Sequence, residues 1–322
     1  MSHDGSSLPT IVVTGVGAVI GQGILESLRA IDEPVRILGV DRNPKSVGRE
    51  LCDEFRVKPS GSEDKAEYLD FWLELARESD LVLPGIEQDV FFLDNHRDEL
   101  ASSKLGLNTP SLINLARDKW EQVKVADQWA IPTLVDADWE ECVRKLGGPP
   151  LLLKPRRGSG SRGIVKLEKK EDWVLHSDGF NLIQRIVGRD TNEYTVGLFG
   201  LGRGRLMPPI VFRRELSEEG HTRFAEVVND AEIVAAVSEL GEKLQPIGPT
   251  NFQFRKGDGK TWLLEINPRF SSSTIMRTRF GYNEAAMALE HYLRSCEPPS
   301  PVIRFGRAQR LGINRVQMEF DN

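Results

Sequence analysis

The chain has 322 residues, of which 39% are hydrophobic and 28% are charged, and its formal net charge is −6. This length is enough for two or three domains with proper cores, and the composition is ordinary for a soluble enzyme. The negative charge excludes a general nucleic-acid binder, because no basic excess is present to neutralise phosphates. Local arginine clusters must therefore be interpreted as sites.

The cysteines and the start of the chain indicate the compartment. Cys52, Cys142 and Cys296 are widely spaced, which fits reduced thiols better than a disulfide framework or a zinc site. Residues 1–9 are polar and lack the pattern of a signal peptide. No apolar run of about 18 residues predicts a membrane span. We therefore expect a cytoplasmic protein that does not enter a membrane.

Strands and helices alternate over the first hundred residues. Thr10–Thr14 is an apolar strand that leads through a glycine-rich turn into a helix at Gly23–Ala30. Val35–Val40 and Leu81–Pro84 are further apolar strands. This alternation predicts a parallel, doubly wound sheet.

The glycine-rich turn admits two interpretations. Asp41 ends the second strand, where a dinucleotide-binding fold places the carboxylate that holds a ribose. However, Ile20 stands at the third glycine position of the usual spacing. The alternative spacing, Gly17-x-x-x-Gly21-x-Gly23, resembles short-chain dehydrogenases, but the chain has no Tyr-x-x-x-Lys pair. We expect a packing turn, or part of a substrate pocket, rather than a nicotinamide site.

The pattern changes near residue 110, and mixed helices and strands follow. The expected helices are Asp118–Trp129, Asp138–Leu146, Ala231–Lys243 and Asn283–Leu293. The expected strands are Leu151–Lys154, Ile164–Leu167, Leu182–Gln184, Glu193–Leu198, Thr250–Phe254 and Trp262–Ile266, with strand-like segments at Pro301–Phe305 and Arg315–Phe320 to which the sequence assigns no role.

A lysine at a strand end is followed by a loop rich in glycine and serine. Lys154 ends one predicted strand, and the polar segment Arg156–Gly163 leads to the next. A point charge and the backbone N–H groups of a mobile loop can hold nucleotide phosphates. The alternative is a flexible basic hairpin on the surface.

Oxygen-bearing side chains cluster on two strands near the end of the chain. Glu265 and Asn267 are two residues apart on a strand, so both point to the same face, and Gln253 lies on the strand before. Mg²⁺ prefers oxygen ligands and typically uses one or two carboxylates together with nucleotide phosphates. Arg269 follows as a cation that can neutralise further charge. The pattern predicts a metal–phosphate site.

Three further segments carry weaker signals. The linker Gln184–Gly188 can bond an adenine edge through its backbone, or it can be a simple surface connection. His221 lies in a charged loop that either reaches phosphates or is only solvated. The hydroxyls of Ser271–Thr274 can cap a helix, whereas Arg277 and Arg279 can bind a substrate carboxylate, which we favour.

Taken together, these motifs resemble the ATP-grasp superfamily, and within it the synthetase domains of carbamoyl phosphate synthetase, in an order that runs from Thr10 to Leu293. The resemblance implies a Rossmann-like N-terminal domain followed by an ATP-grasp domain of two lobes, an α/β and α+β architecture divided at 1–112, 113–186 and 187–322. It also implies functional residues. Those for the nucleotide are Lys119, Lys154, Gly158, Ser159, Gly160, Ser161, Gln184, Ile186, Glu193 and His221; those for the metal are Gln253, Glu265 and Asn267; the catalytic residues are Arg269 and Lys154. From their places in the sequence we add Arg185 and Arg277 to the candidate nucleotide-binding residues.

The chain departs from carbamoyl phosphate synthetase in two respects. Arg156 and Arg157 add charge to the phosphate loop, and the partner domains needed for carbamoyl phosphate synthesis are missing. The resemblance therefore implies a standalone carboxylate–amine ligase that uses ATP and Mg²⁺, with Mn²⁺ as an alternative, and small-molecule carboxylate and amine substrates. A homodimer is compatible with this layout. The alternatives are a non-catalytic nucleotide-binding regulatory protein with an ATP-grasp fold and, less favoured, a dehydrogenase.

Overall fold

The first part of the chain forms the parallel sheet that the sequence predicts. The computed structural model describes residues 8–59, 66–158, 163–177, 180–312 and 315–321. The parallel strands follow the order β3-β2-β1-β4-β5. These strands are β1 Thr10–Thr14, β2 Arg36–Asp41, β3 Glu54–Val57, β4 Leu81–Leu83 and β5 Lys104–Leu105, and the helices of this part are α1 Val19–Arg29, α2 Ala66–Glu78 and α3 Glu87–Asn95.

Both faces of this sheet are covered, as strand alternation requires. Ile11 and Val13 of β1 share one apolar cluster with helix α1, whereas Val12 shares another with Tyr68 and Trp72 of α2. Successive side chains of a strand point to opposite faces, so a continuous apolar strand is buried on both sides. The carboxyl ends of the strands lead into α1 and α3 at one edge of the sheet.

The middle of the chain forms a smaller antiparallel sheet with the order β6-β9-β7-β8. Asp138 starts one of its helices by accepting a hydrogen bond from the backbone N–H of Glu141, an ordinary N-cap. Leu151, Leu153 and Ile183 bury the sheet face against this helix. The strands are β6 Thr133–Val135, β7 Leu151–Pro155, β8 Val165–Leu167 and β9 Asn181–Arg185, and the helices of this part are α4 Pro110–Ala116, α5 Lys119–Val125, α6 Trp139–Leu146 and α7 Lys170–His176.

The last part forms a long antiparallel sheet with the order β15-β14-β10-β12-β13-β16-β17, in which β11 pairs with β10. Phe252, Val196 and Leu198 pack on one helix of this part through Ile233 and Val237. The strands are β10 Glu193–Gly202, β11 Arg205–Leu206, β12 Ile210–Leu216, β13 Thr222–Val227, β14 Ile247–Gly257, β15 Lys260–Asn267, β16 Gly306–Arg310 and β17 Val316–Phe320, and the helices are α8 Ala231–Leu244, α9 Thr274–Arg279 and α10 Glu284–Ala288.

Three expectations about local structure need correction. The helix expected at Asp118–Trp129 is divided into α5 and a 3₁₀ turn, Asp127–Trp129. The helix expected at Asn283–Leu293 continues past α10 as a π turn, Leu289–Leu293. Pro301–Phe305 is not a strand, and pairing begins at Gly306, where β16 adds to β13. Within the described ranges, no helix is both long and apolar enough to cross a membrane.

Candidate functional site

A narrow cavity lies between the sheet of β6–β9 and the long sheet that begins with β10. Its volume is about 210 Å³. Apolar side chains such as Leu152, Val187 and Leu264 form part of its wall, and charged side chains form the rest. The predicted site residues that line it are Lys119, Lys154, Gly158, Gln184, Arg185, Glu193, Gln253 and Glu265. Segments separated by more than a hundred residues therefore meet where the sequence predicted a nucleotide.

Lys154 points into this cavity from β7. Its Nζ donates to Oε1 of Gln184 at 2.6 Å, and Nε2 of Gln184 donates to Oγ1 of Thr133 at 2.9 Å. Burial lowers the pKa of the Lys154 ammonium from its ordinary 10.5 to about 8. The carboxylate of Glu265 opposes this shift, and the guanidinium of Arg255 adds to it. Both ends of the Gln184 amide have partners, so this side chain orients Lys154.

This pKa predicts that nucleotide affinity depends on pH. Above pH 8 the free protein loses the ammonium that faces the cavity, so ADP–Mg²⁺ should bind more weakly, by up to about tenfold per pH unit. Titration calorimetry between pH 7 and pH 9.5 measures this change. Lys154→Met should bind weakly throughout and lose the pH dependence in that range. An unchanged slope in this variant would contradict the assignment.

Glu193 lies at the far side of the cavity between two arginines. β10 pairs with β12 and β14, which places Arg214 and Arg255 opposite Glu193. Oε1 of Glu193 accepts from Nη2 of Arg214 at 2.7 Å, and Oε2 accepts from Nη2 of Arg255 at 2.7 Å. Burial alone would raise the pKa of Glu193, but the two guanidinium groups hold it below its ordinary value. Glu193 therefore stays ionised, and its predicted contact with the nucleotide stays a prediction.

Strand β15 contains a β-bulge, and as a result two neighbouring residues line the narrow cavity. Gln253 of β14 pairs with Glu265 of β15, but Phe254 pairs with Leu263, so Leu264 is the extra residue. Strict alternation would turn either Leu264 or Glu265 away, whereas both line the cavity. Nδ2 of Asn267 donates to Oε2 of Glu265 at 3.1 Å. Because of the bulge, the Glu265 carboxylate and the apolar side chain of Leu264 both form part of the cavity wall.

These donors fit a magnesium ion that is shared with nucleotide phosphates. Glu265 forms no ion pair with any residue that the structure describes, so its carboxylate is available to a cation. Oδ1 of Asn267 accepts from Arg269 at 3.1 Å and Oε1 of Gln253 accepts from Arg214 at 2.9 Å, but each amide oxygen has a second lone pair. Among the described residues, no three His, Cys, Asp or Glu side chains are grouped so that they could hold a metal ion by themselves. The fit is to a hard ion with one carboxylate and phosphate oxygens.

A larger cavity, of about 770 Å³, meets the narrow one at Glu265 and Gly158. Asn267 and Arg269 line its floor, and helix α3 of the parallel sheet lines the opposite wall. Nη2 of Arg269 forms an ion pair with Oε2 of Glu87 at 2.9 Å, between residues that are 182 positions apart. The first part of the chain therefore fixes the arginine that faces this second cavity.

The loop that follows β7, which the sequence predicts to hold phosphates, is anchored at its first residue, Arg156. Nη2 of Arg156 lies 2.7 Å from Oδ2 of Asp118, and the backbone N–H of Lys119 donates to the carbonyl of Arg156 at 3.0 Å. Burial would raise the pKa of Asp118, but hydrogen bonds from Arg156 and the N–H of Trp120 hold it below its ordinary value. Nζ of Lys119 also donates to the carbonyl of Gly158. Ser159, Gly160 and Ser161 lie outside the described residues.

Two predicted nucleotide contacts are placed away from the narrow cavity. Ile186 does not line it, and the neighbouring Val187 does. His221 lines a separate cavity of about 520 Å³ beside Gly17 and Arg310. Burial lowers the pKa of the His221 imidazole, and the nearby Arg310 adds to this shift. The loop after β12 thus turns toward helix α1 and places His221 outside the narrow cavity, and its contact with the nucleotide stays a prediction.

Arg277 requires a correction. In the sequence it follows strand β15 closely, but helix α9 directs its side chain toward the core, where its exposure is 0%. Its guanidinium donates to Oε1 of Glu284 at 3.0 Å, to Oδ1 of Asn251 at 2.5 Å and to Oγ1 of Thr195 at 3.2 Å. A fully buried arginine with three partners is not available to a nucleotide or a substrate. Its role is structural.

This correction predicts a large loss of stability. Arg277→Met leaves the Glu284 carboxylate buried without its partner, so the free energy of unfolding should fall by about 3–5 kcal/mol. Urea denaturation measures this change. Arg223→Met is the control, because Arg223 pairs with Glu215 on the surface and should change the same quantity by about 1 kcal/mol or less. A stable Arg277→Met protein that had lost ADP–Mg²⁺ binding would restore the ligand-binding role.

Sequence reasoning missed several residues of the site. Arg255 and Leu216 line the narrow cavity, and Arg117 lines the larger one. Arg255 could have been found, because it stands two residues after Gln253 and so faces the same side of its strand. Arg117 could not, since only the folded chain brings Phe91 of α3 against its guanidinium.

The glycine-rich turn after β1 is a packing turn. The backbone N–H of Gly17 donates to Oδ2 of Asp41 at 2.7 Å, and Oδ1 of Asp41 accepts from the N–H of Asn43 at 2.9 Å. A Cβ on Gly21 would lie 2.3 Å from the carbonyl oxygen of Gly15, so only glycine allows this approach. The carboxylate that a nicotinamide cofactor would need for its ribose is thus held by the backbone.

The chain was compared with known proteins. Residues 189–310 match the family model described as ATP-grasp in the biosynthetic pathway with Ter operon. No curated protein matches. One similar solved structure is N5-carboxyaminoimidazole synthetase from Staphylococcus aureus complexed with ADP, at 15% identity and a TM-score of 0.73, covering 94% of this chain and 82% of that one.

A second similar structure is the biotin carboxylase domain dimer of 2-oxoglutarate carboxylase from Hydrogenobacter thermophilus, in complex with MgADP, ADP and bicarbonate. Its identity is 14% and its TM-score 0.71, and the match covers 95% of this chain and 75% of that one. The likeness thus spans all three sheets described above, so the chain shares the fold of these two structures. Within that fold, residues 189–310 match an ATP-grasp family model.

Proposed function

We propose that this protein is an ATP-dependent carboxylate–amine ligase that forms an amide through an acyl phosphate, with ADP and phosphate as products. One observation carries the proposal: two cavities meet at Glu265, one lined by Lys119 and Lys154 and the other by Arg269. The first offers two ammonium groups to the phosphates of a nucleotide, and the second, of about 770 Å³, has room for another substrate. The two similar structures were each solved with ADP bound, which supports a nucleotide as one of the ligands.

The first chemical step joins the carboxylate to phosphate. An oxygen of the carboxylate attacks the γ-phosphorus of ATP, and the bond to the β-phosphate oxygen breaks to release ADP. Lys154, Lys119 and Arg269 offset the negative charge that spreads over the transferring group, because phosphoryl transfer depends mainly on positioning and electrostatics. Glu265, with Asn267 and Gln253, would hold Mg²⁺, which neutralises phosphate charge when bound.

The second step forms the amide. The amine nitrogen attacks the acyl carbon, phosphate leaves with the electron pair of the C–O bond, and the nitrogen gives up a proton. Arg156–Gly163 would cover the acyl phosphate and keep water from hydrolysing it. The ion pair of Arg269 with Glu87 would keep the guanidinium close to the leaving phosphate. No dedicated protein nucleophile is needed.

We also propose the division at 1–112, 113–186 and 187–322 as a domain organisation. The strands of the three sheets fall within 10–105, 133–185 and 193–320, which supports these boundaries. Cys52, Cys142 and Cys296 are free thiols, which fits the cytoplasmic location that we propose.

The test is release of ADP and phosphate from ATP–Mg²⁺ in the presence of panels of carboxylates, each with and without an amine. Release that requires one carboxylate and one amine supports the ligase. Binding of ADP–Mg²⁺ without release across the panel would favour a non-catalytic nucleotide-binding protein instead. A thermal shift with NAD but none with ADP–Mg²⁺ would contradict both.

A further inference from the structure

The larger cavity contains acidic side chains that are already neutralised within the protein. Glu87 pairs with Arg269 at 2.9 Å, and Asp118 pairs with Arg156 at 2.7 Å. Glu121 pairs with Lys124 at 2.6 Å on the outer side. Apart from Glu265, which we assign to the metal, the described acidic groups of this cavity therefore have protein partners. A cationic side chain of this cavity that has no carboxylate partner would therefore attract an anionic ligand.

Arg117 is such a cation. Its guanidinium lies over the ring of Phe91, 4.1 Å from the centroid, and its Nη2 donates to the carbonyl of Phe91 at 3.3 Å. Its Nε is buried and has no hydrogen-bond partner. No carboxylate among the described residues forms an ion pair with it. Its Nη1 is neither among the buried unpaired atoms nor hydrogen-bonded to any described residue, so Nη1 is the charged donor that a ligand oxyanion can reach.

The position of Arg117 separates it from the nucleotide. Lys119, two residues further along, lines the narrow cavity, whereas Arg117 lines only the larger one. Arg117 is the C-cap of α4, and Phe91 belongs to α3, so two helices fix the guanidinium. Stacking on an aromatic ring holds the guanidinium in a plane while its Nη1 end remains available to donate. This is a rigid, preformed binding group in the cavity that we assign to the second substrate.

We propose that the carboxylate substrate carries a second anionic group, and that Arg117 binds it. Arg269 faces the carboxylate that reacts, and Arg117 faces the second oxyanion. The chemistry that both a carboxylate and a phosphate offer is a pair of oxygens matched to the guanidinium fork. This inference rests on the proposed ligase function and names its substrate class: an acid with a second carboxylate or a phosphate.

The test uses matched probes on the protein saturated with ADP–Mg²⁺. Succinate is compared with succinamate, and 3-phosphoglycerate with glycerate, by titration calorimetry; the two pairs distinguish a second carboxylate from a phosphate. In at least one pair, the member with two anionic groups should bind at least about tenfold tighter, the value of one charge-assisted hydrogen-bonded pair. Arg117→Gln should remove this preference while the affinity for ADP–Mg²⁺ stays unchanged.

Two further variants keep the result unambiguous. Arg117→Lys keeps the positive charge but loses the guanidinium geometry, so it should retain part of the preference for the probe with two anionic groups. If Arg117→Gln is unstable, Arg117→Lys still tests whether this side chain binds the second anionic group. Arg144→Gln, an exposed arginine of α6, should retain all of it. Equal binding within each pair, binding of no probe, or a preference that survives Arg117→Gln overturns the inference.

Failure of this inference is distinguishable from failure of the proposed function. If ADP release depends on a carboxylate that has no second anionic group, the ligase stands and the role of Arg117 is wrong. If the protein does not bind ADP–Mg²⁺ at all, the proposed function itself is wrong.

Discussion

Glu265→Gln should lower ADP release by about 10³-fold or more, because this substitution removes the carboxylate at which the two cavities meet. The amide has the same shape, so it can still accept the hydrogen bond from Asn267. The fold should therefore be retained, with an unfolding transition close to that of the wild type. Steady-state ADP release and urea denaturation measure the two effects separately.

The same substitution should change Lys154. The Glu265 carboxylate partly offsets the effect of burial on the Lys154 ammonium, so its removal should lower the pKa of that lysine further. The pH above which ADP–Mg²⁺ affinity declines should therefore shift downward. Glu168→Gln, which removes an exposed carboxylate paired with Lys166, is the matched control and should change neither quantity. Turnover at the wild-type rate in Glu265→Gln would refute the metal assignment.

Arg269→Gln should reduce kcat by about 10²–10³-fold and leave the affinity for ADP–Mg²⁺ within about twofold. The reason is position: Arg269 lines the larger cavity and is not part of the narrow one. It should therefore act on the transferring phosphoryl group and not on the binding of the nucleotide. Separate measurement of kcat and of the ADP–Mg²⁺ dissociation constant tests this distinction.

Glu87→Gln provides the companion variant for Arg269. It keeps the size of the side chain but removes the ion pair at 2.9 Å, so the guanidinium should be less well positioned. We expect a smaller loss, about tenfold in kcat, since a positioning residue has been removed and the reacting groups remain. Weaker ADP–Mg²⁺ binding with normal kcat in Arg269→Gln would show that the arginine serves the nucleotide instead.

The sequence predicted the parts of the site that follow from local periodicity. Apolar alternation around Glu265 and Asn267 was enough to place both on one face of a strand, and the strand end at Lys154 was recognised for the same reason. The alternation of strands and helices likewise predicted the parallel sheet. These features depend on residues that are close together in the sequence, so the sequence alone is enough to predict them.

The errors arose where tertiary contacts decide. Arg277 follows strand β15 closely, but the turn into helix α9 sends it to the core, and no local pattern indicates that direction. The bulge at Leu264, which lets Leu264 line the narrow cavity beside Glu265, has no signal in the apolar alternation of the strand. Arg117 gained significance only when Phe91, from another helix, was placed beneath it. Such residues can be assigned only once the fold is known.

The most direct test of the acyl phosphate is isotope transfer. The carboxylate substrate identified by ADP release is labelled with ¹⁸O in both carboxyl oxygens, and the released phosphate is analysed by mass spectrometry. If the carboxylate attacks ATP, one labelled oxygen must appear in each phosphate formed together with the amide. Phosphate without the label, released in equal amount to the amide, would contradict the proposed mechanism.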